Sequence, residues 1–268
     1  MRSAGIRVPL ATAAVSAMLV AGACVSPFPP LRQPGAPHLA TFPSRANLDP
    51  ASACVASPDP ANGGHPAPPD GVVEAGDPAD PTGVVAIEVV GVGDLVVTSD
   101  QLLVADLFLL AGDPGETDTI DLAGFAGPAP VCLHVARYDS SDERIAFVHV
   151  RLTDAPVVAW RQAGGFGVDG GTGGIASTDA VIAVGSGVDA VIEQYLEELD
   201  RNYVDTWAWL NVQLDPATGG NVIGFSTGFG DGGYPVVVGE DGEGRPASVV
   251  IDHVVVPWAW LSRVGPVP

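Results

Sequence analysis

From Val84 onward apolar residues come in short runs cut by glycine, or alternate with polar ones, which is how strands read. "VVAIEVVGVGDLVVTSDQLLVADLFLL" (84–110) predicts two or three strands, broken at Gly91, Gly93 and Ser99-Asp100. "PVCLHVARYDSSDERIAFVHVRL" (130–152) predicts a hairpin with Ser141-Asp142 at its tip. In that register Val131, Leu133 and Val135 meet Leu152, Val150 and Val148, so one side is wholly apolar. Cys132, His134, Ala136 and Tyr138 then meet Arg151, His149, Phe147 and Ile145 on the other. "TWAWLNVQLD", "NVIGFS", "YPVVVGE" and "PASVVIDHVVV" continue the strand pattern to residue 256.

One stretch changes period. In "GVDAVIEQYLEELDRNY", Val188, Val191, Ile192, Tyr195, Leu196 and Leu199 fall at helical spacing. Glu193, Glu197, Glu198 and Arg201 take the opposite face. This predicts one main amphipathic helix over about 187–202. Many strands with one helix predict an α+β fold, mostly antiparallel β, as a single β-rich globular domain over 84–268.

The first 83 residues read differently. Arg2 and Arg7 precede an apolar stretch, Leu10–Ala23, of 14 residues. That is too short to span a bilayer and fits a signal-peptide core. "VAGAC" resembles a lipoprotein box, which makes residues 1–23 a signal peptide and Cys24 the acylated residue. Ala21-Gly22-Ala23 also fits an ordinary signal-peptidase site, so a freely secreted form is the alternative. Either reading exports the protein; the first places it on the outer face of the cell membrane, held by lipid. Residues 25–82 hold 14 of the chain's 25 prolines, which predicts an extended tether over 24–83. With Cys24 lipidated, Cys54 and Cys132 remain as an even pair in an oxidising compartment, and a disulfide between them is expected.

Charge removes one class of partner. The chain carries 11 basic and 32 acidic residues, a net of -21, so nucleic-acid binding is excluded. Loss of Arg2 and Arg7 with the leader takes the net to -23 (9 against 32). The expected partners are the membrane, through the lipid, and an extracellular protein or cell-wall component.

Several motifs suggest chemistry and fall short of it. "GFSTG" (224–228) fits a nucleophile elbow around Ser226, but glycines and Pro235 follow where a helix is needed. "GFGVDGGTGG" (165–174) lacks the lysine and helix of a phosphate loop. "GEDGEG" (239–244) has the composition of a calcium loop without its spacing, and a hairpin turn is the better reading. His134 and His149, cross-strand in the register above, lack a third zinc ligand of recognisable spacing. No metal, cofactor or catalytic set is assigned.

Taken in order, "GDLVVTSDQLLVADLF", "RIAFVHVRLTDAPVVAWRQA", "GFGVDGGTGG" and "TGFGDGGYPVVVGEDGEGRPASVVID" resemble an uncharacterised bacterial family, domain-of-unknown-function family 4241, over about residues 84–258. The resemblance implies a compact β-rich domain and no established activity. It singles out Asp106, Trp160, Asp169, Asp231, Gly232, Tyr234, Pro235 and Asp252 as signature positions. Ser177 stands where the family usually has an acid, with Asp179 following, and Asp252-His253 replaces an Asp-Phe. The two glycine-aspartate runs, 167–174 and 228–233, are expected at one end of the domain, with Asp169 and Asp231 approaching and Tyr234 and Trp160 as walls. Two unrelated turns, each with its Asp bonded to local backbone, are the alternative. Three functions stay open: a noncatalytic binding module, a hydrolase using Asp169 and Asp231, and a divalent-cation module using the same acids.

Overall fold

The computed structural model describes residues 71–74, 84–112, 117–138, 142–204, 206–256 and 258. The leader, Cys24, Cys54 and most of the expected tether lie outside the described residues. The strands are β1 (Gly71–Glu74), β2 (Val84–Val97), β3 (Gln101–Asp106), β4 (Thr119–Asp121), β5 (Gly127–Arg137), β6 (Glu143–Arg151), β7 (Ala159–Val168), β8 (Thr172–Ser177), β9 (Trp209–Gln213), β10 (Asn221–Ser226), β11 (Gly232–Glu240) and β12 (Pro246–Asp252). Two helices, α1 (Thr178–Val184) and α2 (Val188–Arg201), join β8 to β9.

Seven strands form one sheet in the order β1-β2-β5-β6-β12-β11-β7, and five form another in the order β4-β3-β8-β10-β9. All strand pairs in both sheets are antiparallel. Alternation puts Val131, Leu133, Val135, Val148, Val150 and Val249 on one face of the larger sheet, against Ile175, Ile223 and Phe225 of the smaller. Each such aliphatic side chain contributes about 1.5–3 kcal/mol when fully buried. The other face of the smaller sheet, with Leu103, Ala176, Leu210 and Val222, packs under the helices through Val181, Val191 and Tyr195. The fold is therefore mostly antiparallel β with two helices.

Asn221 ties the two sheets together. Its buried amide accepts the Val96 N–H at 2.7 Å and donates to the Asp94 carbonyl at 2.9 Å and to Asn211 Oδ1 at 2.6 Å. It thereby holds β2 where a bulge between Gly91 and Asp94 breaks that strand's ladder.

Five expectations need correction. The stretch 84–110 holds two strands, within the expected two or three, but the break expected at Gly91 and Gly93 is a bulge inside β2 that does not end it. Gly71–Glu74, assigned to the tether, is a strand on β2; "GVVE" is a proline-free window. The β5–β6 hairpin pairs two residues tighter than expected, with Val131 opposite Val150, Cys132 opposite His149 and His134 opposite Phe147. A slip of two preserves the faces, but a bulge between His134 and Val135 then turns Ile145 inward, opposite Val135. The expected tip, residues 139–141, lies outside the described residues. There are two helices and not one, since "TDAVIAV" is too short and too apolar to show a helical period. Finally, Leu196 is 54% exposed while Val191 and Tyr195 are buried. At about 100° per residue it falls at the edge of the stripe centred between Tyr195 and Leu199.

Candidate functional site

The topology brings the two glycine-aspartate runs together. β7 ends in the larger sheet and β8 begins in the smaller, so the turn at 169–171 crosses between sheets. β10 and β11 make the same crossing in the opposite direction through 227–231. β7 neighbours β11 in one sheet and β8 neighbours β10 in the other. The two crossings must therefore lie side by side at one end of the sandwich. The Thr227 N–H donates to the Gly171 carbonyl at 2.9 Å, which joins them. Gly171 has φ +64°, and a Cβ there would sit 3.4 Å from the Gly230 Cα and 4.0 Å from an Asp231 oxygen. Glycine meets both the left-handed backbone and the close approach.

The acids at this end play different parts. Asp106, at the end of β3, accepts the Phe108 N–H at 3.0 Å and, through its other oxygen, the Asp169 N–H at 3.3 Å. It thus shapes its own turn and holds the neighbouring one. The side chains of Asp169 and Asp231 take no hydrogen bond from another described residue, and both residues are exposed. The alternative of an Asp bonded to its local backbone describes Asp106, and not these two. Asp252, 3% exposed, accepts the Val254 N–H at 2.8 Å and turns the chain at the end of β12.

Tyr234 lies under the 227–231 turn. Its hydroxyl is 2.5 Å from the Gly230 carbonyl and 3.2 Å from that of Thr227, so its proton is spent on the turn. Burial pushes its phenol up, and the charge of Asp231 adds to this, while the bond to Thr227 opposes it. Trp160 is not a wall of this end. It pairs across from Gly239, whereas Phe166 pairs with Tyr234, so about six residues of extended strand, roughly 20 Å, separate them. The Trp160 ring packs edge-on against Trp258 at 4.9 Å. The family resemblance pointed to a site there, and the register moves Trp160 away.

A depression of about 430 Å³, open to solvent, is lined by Gln162, Gly165, Phe166, Gly167, Gly233, Tyr234 and Pro235. No carboxylate lines it; the acids stand on the turns beside it. Ser226 Oγ accepts the Ala208 N–H at 2.9 Å, and the chain after it turns into β11 and not into a helix, so the nucleophile-elbow geometry is not formed. The His134 and His149 rings are 6.0 Å apart. Among the described residues no group of three or more His, Cys, Asp or Glu is placed to hold a metal ion. "GEDGEG" is the β11–β12 hairpin turn, where Asp241 accepts the N–H groups of Glu243 and Arg245.

Two buried polar centres at this end were not visible in the sequence. Glu143, fully buried, receives Arg137 Nε at 2.9 Å and Nη2 at 2.7 Å on one oxygen and Trp207 Nε1 at 3.0 Å on the other. His253, 2% exposed, lies with Nδ1 2.8 Å from the Ile145 carbonyl, while its Nε2 is buried and has no partner. A bonded Nδ1–H leaves Nε2 as a bare lone pair. Burial lowers this imidazole to about 4, although the bond to Ile145 works the other way.

The fold and its paired crossings thus define a two-sheet antiparallel sandwich with helices over the smaller sheet. The chain belongs to the family described as protein of unknown function (DUF4241), whose sequence model matches residues 95–251. The match takes in both glycine-aspartate turns. No curated protein and no solved structure matches the chain.

Proposed function

We propose that this protein is an exported, lipid-anchored cell-envelope protein whose sandwich is a noncatalytic binding module. The observation that carries the binding reading is the placement of Asp169 and Asp231. They stand exposed on turn tips and do not line the depression beside Tyr234. Hydrolysis by paired carboxylates needs both acids aimed at one bond in a concave site that holds substrate and the attacking water. Exposed, unbonded carboxylates on a rigid end suit recognition of a cationic surface instead. The anchor rests on the lipoprotein box, the basic leader residues and the proline-rich stretch that follows.

Cys24→Ala is expected to move the full-length protein from the membrane fraction to the medium. Labelled palmitate should enter the wild type and not the variant. A wild type that never takes up label removes the anchor from the proposal.

A Cys54–Cys132 bridge belongs to the same reading. Cys132 is fully buried on β5, and a bridge from it would fasten the proline-rich segment to the larger sheet. Closing a loop of 78 residues (132 minus 54) corresponds to about 4–5 kcal/mol in the chain-entropy model. Intact-mass measurement of the exported protein after alkylation, with and without reductant, is expected to show two protected thiols; two alkylated thiols without reductant would refute it.

A further inference from the structure

The same end of the sandwich carries two large apolar side chains that stay exposed. Phe229, in the 227–231 turn, is 42% exposed, and Val254, just after β12, is 61% exposed. The two segments that carry them touch. A Cβ on Gly228 would sit 2.7 Å from Val255 and 3.0 Å from His253, the residues on either side of Val254. The Tyr138 ring lies 6.0 Å from Phe229, and its hydroxyl donates to the Val255 carbonyl at 3.0 Å.

Val254 has φ +57°. A β-branched residue in the left-handed region is an outlier that costs on the order of 1–3 kcal/mol. The flanking His253 and Val255 are both buried, and Asp252 holds the Val254 N–H, so the geometry drives the isopropyl group out into water. Asparagine or glycine would serve this turn with little strain. The strain is explained if the side chain itself makes a contact.

The charge around the patch indicates the partner. Asp231 is two residues from Phe229 in the same turn, and Asp169 stands on the crossing beside it, bonded through its N–H to Asp106 at the end of β3. Arg144 lies 5.5 Å over the Phe229 ring, but Asp142 neutralises it at 2.6 Å. The rim is therefore negative on a chain of net charge -21. From this we infer that Phe229 and Val254 form the centre of a docking surface for a basic protein segment, whose apolar side chains cover the patch and whose cations meet Asp169 and Asp231. The inference rests on the binding-module reading and names its surface and partner chemistry.

The test places the photo-crosslinker p-benzoylphenylalanine at position 229 of the full-length protein in the envelope of the producing bacterium. Position 182 serves as control, because Ile182 is 69% exposed on α1, which follows the end of β8 opposite the 169–171 crossing. The expected result is a protein adduct at 229, enriched over 182, whose partner is basic. Its yield should fall by about fivefold with Val254→Asn and again with Asp169→Asn plus Asp231→Asn, as loss of a central contact does. Val254→Asn relieves strain, so its melting temperature should hold or rise, and lost crosslinking cannot be put down to misfolding. An acidic partner, a lipid adduct, a second copy of this chain, or no enrichment over 182 overturns the inference. If 182 captures a protein and 229 does not, the binding reading survives and only this surface fails. If neither position captures one, both fail.

Discussion

Replacing Glu143 by alanine is expected to lower the free energy of unfolding by about 3–5 kcal/mol, the usual cost of breaking a buried ion pair from one side. Glu143 is fully buried and the Arg137 side chain is 9% exposed, so water cannot take over the lost contacts. The substitution removes the carboxylate that meets two guanidinium nitrogens and the Trp207 indole N–H. The Glu143 backbone also exchanges hydrogen bonds with the Thr206 hydroxyl, so this one residue fixes the β5–β6 hairpin to the loop before β9. Arg161 and Glu240 supply the contrast. Their side chains are 46% and 25% exposed, and Glu240→Gln should cost less than about 1 kcal/mol. Urea unfolding of the two variants checks the difference. Equal midpoints would show that the buried pair contributes no more than a surface one.

Acid is expected to destabilise the fold well before the carboxylates titrate. His149 is lowered to about 3, first by burial, then by the charges of His134 and Arg151. His253 is lowered to about 4 by burial. Both lie below the ordinary value of 6.5, so the unfolded chain binds protons that the folded chain refuses. Stability is full above pH 6.5, falls as pH drops toward 4 and then 3, and levels off below. By pH 5 each group contributes a loss of about 2 kcal/mol. His253→Phe should remove about half of the drop while keeping an aromatic ring against Tyr234 and Phe225, whose rings lie 5.1 and 5.5 Å away. Urea midpoints at pH 7 and pH 5 decide, and a wild type equally stable at both would contradict the buried neutral imidazoles.

What could be read in the sequence followed from local periodicity. α2 announced itself because five of its six apolar positions keep a 3.6-residue period over three turns. The strands showed because their inward residues alternate or run unbroken. β1 was hidden by length, four residues among prolines, and α1 by seven residues that read equally as strand. The site divides along the same line. The two glycine-aspartate turns were visible, since their composition is a local signal. Their contact required the strand order, in which each crossing neighbours the other in both sheets. Trp160 looked like a wall only because nothing in the sequence gives its register against β11. Glu143 carries no signal at all, for its indole partner is 64 residues away and a glutamate at a strand start reads as exposed.

The central claim is that the acids of the glycine-aspartate end recognise a partner and do not form a reaction or cation centre. Isothermal calorimetry tests it most directly, with Ca²⁺, Mg²⁺ and Zn²⁺ titrated in turn into the full-length protein and into its Asp231→Asn variant. The account predicts no saturable binding at micromolar to low-millimolar metal, and identical traces for the two proteins. A stoichiometric isotherm in the wild type that disappears in Asp231→Asn would contradict it and make this end a cation site.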